Sequence, residues 1–236
     1  MTSLIGFHPV REALRAGRPL ERLLIAKGAA GPRIQELVDL CRAAGVPVRF
    51  EDRAALDRMA GVPSHQGVVG FAAAHRYVEL DEVSGTLVVL DGVEDPHNLG
   101  AIVRTAHAAG AGAVVVPERR AAPLTEVVAK AAAGALEYLP VARVVNLNRA
   151  LETLKKRGYW IYGLDERGTE RYDQVDYATP TALIFGGEGQ GLHEQVRKHC
   201  DFLVRIPMAG PISSLNVSVA TGVVLFESRR RAAAKE

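Results

Sequence analysis

The chain has 236 residues, 48% of them hydrophobic and 24% charged, with a formal net charge of +2. That length supports one large domain or two small ones with real cores, and so small a charge does not by itself announce a nucleic-acid partner. No apolar run approaches the roughly 20 residues of a membrane helix. The first nine residues lack the basic segment and apolar core of a secretory signal. Cys41 and Cys200 match no metal-ligand or CxxC spacing and read as buried free thiols. The expectation is a soluble, cytoplasmic protein with no membrane segment and no metal. Of the 29 basic residues 23 are Arg and six are Lys. Arg forks match phosphate and Arg planes stack on bases, although a GC-rich coding bias produces the same excess.

The first 72 residues alternate helix and strand patterns. A short helix over 9–16 stops at Gly17 and is followed by a strand over 22–26. Ile34, Leu37, Val38 and Cys41 recur at helical spacing in a helix over 32–44 that Gly45 ends. A strand over 46–50 follows. Asp52 is placed to cap a helix through Met59, and residues 67–71 form a closing strand. These elements form a small α/β domain over 1–72. Residues 73–84 read as a linker.

From residue 85 onward the strand patterns are continuously apolar. They cover 86–90, 113–116, 141–145, 160–164, 181–185 and 202–206, and they alternate with helices over 98–109, 124–139, 147–157, 193–199 and 215–231. Such alternation predicts a parallel sheet covered on both faces, a second domain over 85–236.

Three constellations interrupt this regular pattern. In the first, Asp91 to Ala106, a polar loop after a strand delivers Asn98 to a helix start, where it reads equally as a cap or a functional group. Arg104 flanks the apolar face of that helix near the C-terminal edge of the sheet, where open α/β folds bind ligands. It reads equally as a surface Arg whose stem covers apolar area. In the second, Gly186-Gly187-Glu188-Gly189-Gln190-Gly191 places four glycines directly after a strand and lets the backbone approach a ligand closely. It has neither the dinucleotide GxGxxG spacing nor the Lys-Ser/Thr ending of a P-loop, which leaves a nucleotide-dependent oxidoreductase with little support. In the third, Pro207 and Gly210-Pro211 stop the strand ending at Ile206 from running into the last helix. Ser213 or Ser214 is the natural cap there, and Asn216 falls in the first turn. Ser214, Ser218 and Thr221 lie on one helical face, a stripe suited to close helix packing or to a second copy across a two-fold axis.

Asn98 with Arg104, then Gly187 to Leu192, then Ile206-Pro207-Met208 with Ser214-Leu215-Asn216, together resemble the three ordered motifs of the SpoU/TrmH family of RNA ribose 2′-O-methyltransferases. The resemblance covers about residues 85 to 231. Residues 5–72 resemble the small ribosomal-protein-like substrate-binding domain that many members carry. The start, Gly6 to Leu14, and the stretch Ile206 to Glu227 are closest to the RlmB-type subgroup, which methylates a guanosine ribose of 23S rRNA.

The resemblance implies an α/β fold with a C-terminal trefoil knot of the SPOUT type that holds S-adenosylmethionine, and a homodimer that completes the site. It implies Gly186, Gly187, Gly191, Ile206, Met208 and Leu215 as the cofactor-binding positions. Asn98, Arg104, Glu188, Ser214 and Asn216 would be the polar catalytic group. Methyl transfer from a sulfonium needs no metal and no covalent nucleophile, and positioning and charge stabilisation do most of the work. A guanidinium, with a pKa above about 12, is a poor base, so Arg104 is expected to stabilise the forming alkoxide and hold a neighbouring phosphate. Methylation of tRNA or of an rRNA adenosine, or a non-catalytic RNA-binding module, are the alternatives.

Overall fold

The computed structural model describes residues 2–61, 65–187 and 191–234. The chain forms two compact units, one of Met1–His75 with Leu124–Tyr138, the other of Arg76–Pro123 with Leu139–Glu236. A linear division at 72 and 85 therefore misses an excursion: the segment 124–138 belongs to the first unit. The reason is tertiary. Ser3 N donates to Glu126 Oε1 at 2.7 Å, the Tyr138 hydroxyl donates to Glu12 Oε2 at 2.8 Å, and Arg18 pairs with Glu137 at 2.8 Å.

The first unit contains β1 (Thr2–Ile5), α1 (Phe7–Arg15), β2 (Leu20–Ala26), α2 (Pro32–Ala43), β3 (Val48–Glu51), α3 (Arg53–Ala60) and β4 (Val68–Ala72). β1 carries too little apolar alternation to be found by pattern. It pairs antiparallel with β4, in a sheet of order β1-β4-β2-β3 in which β2 and β3 run parallel. Leu4, Val10, Leu14, Leu23, Ile25, Leu37 and Cys41 form the core between one sheet face and α1 and α2. Leu24, Leu56 and Val69 seal the other face under α3. Each fully buried aliphatic side chain of this kind contributes about 1.5–3 kcal/mol. Asp52 stands at the start of α3 without a side-chain capping bond.

The second unit holds β5 (Leu87–Asp91), α4 (Pro96–Ala108), β6 (Ala113–Pro117), β7 (Val141–Val144), α6 (Leu147–Lys156) and β8 (Trp160–Leu164), with α5 (Glu126–Ala132) lying in the excursion. It ends with β9 (Glu170–Arg171), β10 (Thr181–Gly186), α7 (Glu194–His199), β11 (Phe202–Arg205) and α8 (Val217–Ala233). The expected helix over 124–139 is shorter, because Ala133 and Gly134 take left-handed backbone angles and a single 3-10 turn, Ala135–Glu137, follows. The seven-stranded sheet is parallel, of order β7-β6-β5-β10-β8-β11-β9. The chain runs outward from β5 to β7 and returns on the other side, and β10 is laid between β5 and β8. Both faces of its central strands are covered, which is why β5, β6 and β10 are almost wholly apolar, whereas the edge strand β9 is charged and exposed. α6 and α7 bury Leu151, Leu154 and Val196 on one face, and α4 and α8 pack together on the other.

Candidate active site

The C-terminal ends of β5, β10, β8 and β11 converge on two cavities that share Gly187, Gly191 and Val217. The larger is about 640 Å³ and the smaller about 460 Å³. This is the edge at which open parallel sheets take ligands, and the order of strands reverses here.

The larger cavity collects residues from three distant stretches. Gly186, Gly187 and Gly191 meet Ile206 and Met208 from the proline-bent loop, and Ser214, Leu215 and Asn216 from the approach to α8. The glycines serve a close approach that sequence alone assigns to a ligand. A Cβ on Gly186 would lie 2.1 Å from the Gly191 carbonyl carbon, and one on Gly187 would lie 2.1 Å from the Gly92 carbonyl oxygen. It is the backbone itself that fills the space a side chain would need. Gly187 N also donates to Asp91 O at 2.8 Å. Phe185 and the segment Leu164–Arg167 complete the wall. Asp165, buried, takes the guanidinium of Arg167 in a two-point contact at 2.7 and 2.8 Å and accepts Arg167 N at 2.9 Å. Those hydrogen bonds hold its carboxyl below the usual range against the opposing effect of burial.

Two of the capping expectations are reversed. Asp95, not Asn98, caps α4: its carboxylate accepts His97 N at 3.0 Å and Asn98 N at 3.3 Å. Asn98 sits in the first turn, 7% exposed, and lines the smaller cavity. At α8 the cap is Asn216, not Ser213 or Ser214. Its Oδ1 accepts Ser218 N at 2.9 Å and Val219 N at 3.4 Å, while its Nδ2 donates to Asn98 Oδ1 at 2.9 Å. The helix starts two residues later than the apolar pattern indicates, because the side chain of Asn216 caps it there. Ser214 is exposed. Of the expected stripe, Ser214 precedes the helix, while Thr221 is fully buried, as close packing of α8 on α4 requires, and its hydroxyl donates to Val217 O at 2.8 Å.

Arg104 lies exposed on α4, outside the lining of both cavities, and makes no hydrogen bond or ion pair with another described residue. Glu188 falls outside the described residues. Among the described residues no group of His, Cys, Asp and Glu is arranged to hold a metal, and no helix is long and apolar enough to cross a membrane.

Sequence reasoning missed Asp91, Arg120 and His193, which line the smaller cavity. Asp91 is 6% exposed at the end of an otherwise apolar strand, and a charge in that position is the one signal that could have found it.

A parallel α/β unit with a cavity at its carboxyl edge, walled by glycine-rich and proline-bent loops, defines the class, and comparison with known proteins gives it a family. Residues 85–226 match the SpoU rRNA Methylase family, and residues 3–78 match a domain described as RNA 2′-O ribose methyltransferase substrate binding. The chain is 42% identical over 237 residues to YacO of Bacillus subtilis (strain 168), named for the TrmH family of tRNA/rRNA methyltransferases, covering 97% of this chain and 95% of that one. Among solved structures it is similar to an AdoMet-bound rRNA methyltransferase from Sinorhizobium meliloti, with a TM-score of 0.83 and 30% identity over 97% of this chain and 87% of that one. It is also similar to the SpoU methyltransferase AviRb from Streptomyces viridochromogenes in complex with AdoMet, with a TM-score of 0.82 and 27% identity over 98% and 90%. The chain belongs to the SpoU methylase family.

Proposed function

We propose that this protein transfers the methyl group of S-adenosylmethionine to a ribose 2′-hydroxyl of RNA, and that the target is a guanosine of 23S rRNA. The observation that carries the reading is the meeting of Gly186, Gly187, Gly191, Ile206, Met208 and Leu215 around one cavity beside the Asn98–Asn216 pair. At about 640 Å³, with apolar side chains (Phe185, Ile206, Met208, Leu215) facing polar and charged ones (Asp165, Glu166, Arg167, Ser214, Asn216), the cavity suits a cofactor that is part apolar and part charged. The cofactor, when bound, supplies a methyl group already activated on a sulfonium. The chain then has to hold the donor, seat the ribose and stabilise charge on the attacking oxygen. Phe185, Ile206 and Leu215 supply the apolar part of the cavity lining. The Asn98 and Asn216 amides are held against each other and offer polar groups beside it.

A homodimer completes this reading. Ile212, Val219 and Phe226 are 75%, 52% and 50% exposed on the loop before α8 and on α8 itself, an apolar surface that a second copy would cover. Arg104, exposed and outside both cavities, is then proposed to act on the RNA phosphate and forming alkoxide in the assembled dimer. A trefoil knot in the segment around β10, β11 and α8 and a cytoplasmic location belong to the same proposal. Mapping ribose methylation in rRNA from cells with and without the protein tests it. One guanosine in 23S rRNA should lose its methyl group. A methyl group lost instead from tRNA or an rRNA adenosine would move the substrate, and binding of S-adenosylmethionine without transfer to any RNA would leave a binding module.

A further inference from the structure

The smaller cavity contains a three-residue chain that the reaction described above does not use. Asp91 closes β5, and both of its oxygens are taken by one residue: Oδ2 accepts His193 N at 2.8 Å, and Oδ1 lies 2.9 Å from His193 Nδ1. A neutral imidazole facing a carboxylate in this way carries its proton on Nδ1 and leaves a lone pair on Nε2. Arg120 Nη1 lies 3.0 Å from that nitrogen and donates to it. The order Asp91, His193, Arg120 is thus fixed by hydrogen-bond polarity.

The Arg120 backbone is the second observation. It sits at φ 60, the left-handed region that a residue with a side chain seldom adopts. Such outliers persist where the surroundings over-determine them, and they collect at ligand sites. Here the loop after β6 is fastened by Ala122 N donating to Val93 O at 3.0 Å. The guanidinium has five N–H donors and commits one to His193. The acids lining the same cavity do not compete strongly for the rest. Asp91 is used by His193, and Asp95 caps α4. Glu94 is exposed. Arg120 is absent from the lining of the larger cavity, which argues for a nucleic-acid phosphate as its anion and against the carboxylate of the methyl donor.

We propose that Asp91 and His193 orient Arg120 as a clamp for an RNA phosphate at the mouth of the Asn98 cavity, next to the ribose to be methylated. Arg120 is a binding residue, and His193 is a positioning residue that acts through it. This rests on the RNA methyltransferase reading for the identity of the ligand.

The test uses the full-length protein and a 23S rRNA transcript, with Kd measured across a salt series, alongside KM and kcat for methyl transfer and calorimetric binding of S-adenosylmethionine. Arg120→Ala is expected to raise the RNA Kd and KM about tenfold, as loss of one charge-assisted contact does. It should also lower the slope of log Kd against log salt by about 0.7, the value of one single-stranded phosphate contact, and leave donor binding unchanged. His193→Leu should weaken RNA binding part of the way, His193→Gln should restore it by supplying an acceptor near Nε2, and His193→Leu should add nothing in the Arg120→Ala background. An unchanged salt slope in Arg120→Ala, additive effects of the two substitutions, or loss of donor binding would each overturn the clamp. The two readings separate cleanly. Wild-type methyl transfer with an unaffected Arg120→Ala removes the clamp alone. RNA binding that loses slope without any methyl transfer removes the methyltransferase reading alone. A wild-type chain that binds no RNA removes both.

Discussion

Asn216 donates from Nδ2 to Asn98 Oδ1 at 2.9 Å, and the two residues stand 118 positions apart. The same Asn216 accepts on Oδ1 from the first turn of α8. One side chain thus starts the terminal helix and ties it to the first turn of α4. Its two jobs can be separated. Asn216→Asp keeps the acceptor and suits the positive helix start, but it removes the amide donor. Its melting temperature should stay within about 2 °C of the wild type, less than a 1 kcal/mol change would produce, while kcat for methyl transfer falls at least tenfold. Asn216→Ala should lose both, with about 1 kcal/mol of stability gone with the cap. Full activity in Asn216→Asp would show that the amide pair is only structural.

The glycines at the cavity wall give a second prediction. A methyl group on Gly187 would stand 2.1 Å from the Gly92 carbonyl oxygen, which is backbone and cannot swing aside. Gly187→Ala should lower stability by about 1–3 kcal/mol, the usual cost of overpacking, and weaken S-adenosylmethionine binding. Gly210, whose added Cβ meets nothing within 4 Å, is the control, and Gly210→Ala should bind the donor normally. Thermal unfolding and calorimetry read both variants. Equal behaviour of the two would remove the steric account.

Acid should destabilise the first unit through His75. Burial, helped by the neighbouring Arg18, lowers its pKa to about 4, from 6.5 for a free imidazole. Between those values the unfolded chain takes a proton that the folded one refuses, so stability is lost as pH falls from 6.5 toward 4. Glu137 works the other way. Burial raises its carboxyl pKa despite the downward pull of Arg18, so its contribution is full below its unfolded value and declines as pH rises through the folded one. His75→Gln keeps an acceptor for Arg18 but cannot titrate. Its melting temperature relative to wild type should therefore rise steadily as pH drops from 6.5 to 4, and a constant difference over that range would rule this out.

The two thiols should be inert in the folded protein. Cys41 is buried as expected, whereas Cys200 is only half-buried; desolvation still pushes Cys41 to about 11 and Cys200 to about 12. At pH 8 the thiolate fraction of Cys41 is then on the order of one in a thousand, and the thiolate is the reactive form. Iodoacetamide should leave both unmodified in native buffer and alkylate both in guanidinium. Rapid native labelling of either would contradict the burial that shifts them.

Much of this protein is legible in its sequence, and the reason is local. Leu87 to Leu90, Ala113 to Val116 and Ala182 to Phe185 are uninterrupted apolar runs, and such runs suit only strands covered on both faces, so the parallel class follows from composition along the chain. The breaks at Gly186 to Gly191 and Pro207 to Pro211 are equally visible, because glycine and proline act on their own backbone. What tertiary structure decided is long-range. No periodicity says that β10 enters between β5 and β8, or that the segment 124–138 leaves its neighbours to pack with β1 and α1. Propensity gave Asn98 and Ser214 a claim to be caps, yet Asp95 and Asn216 hold those places, since any of these side chains can cap and the path of the incoming loop selects one. Asp91 ends a strand, Arg120 and His193 stand in two separate loops, and the three meet through hydrogen bonds whose polarity exists only once the strands have paired.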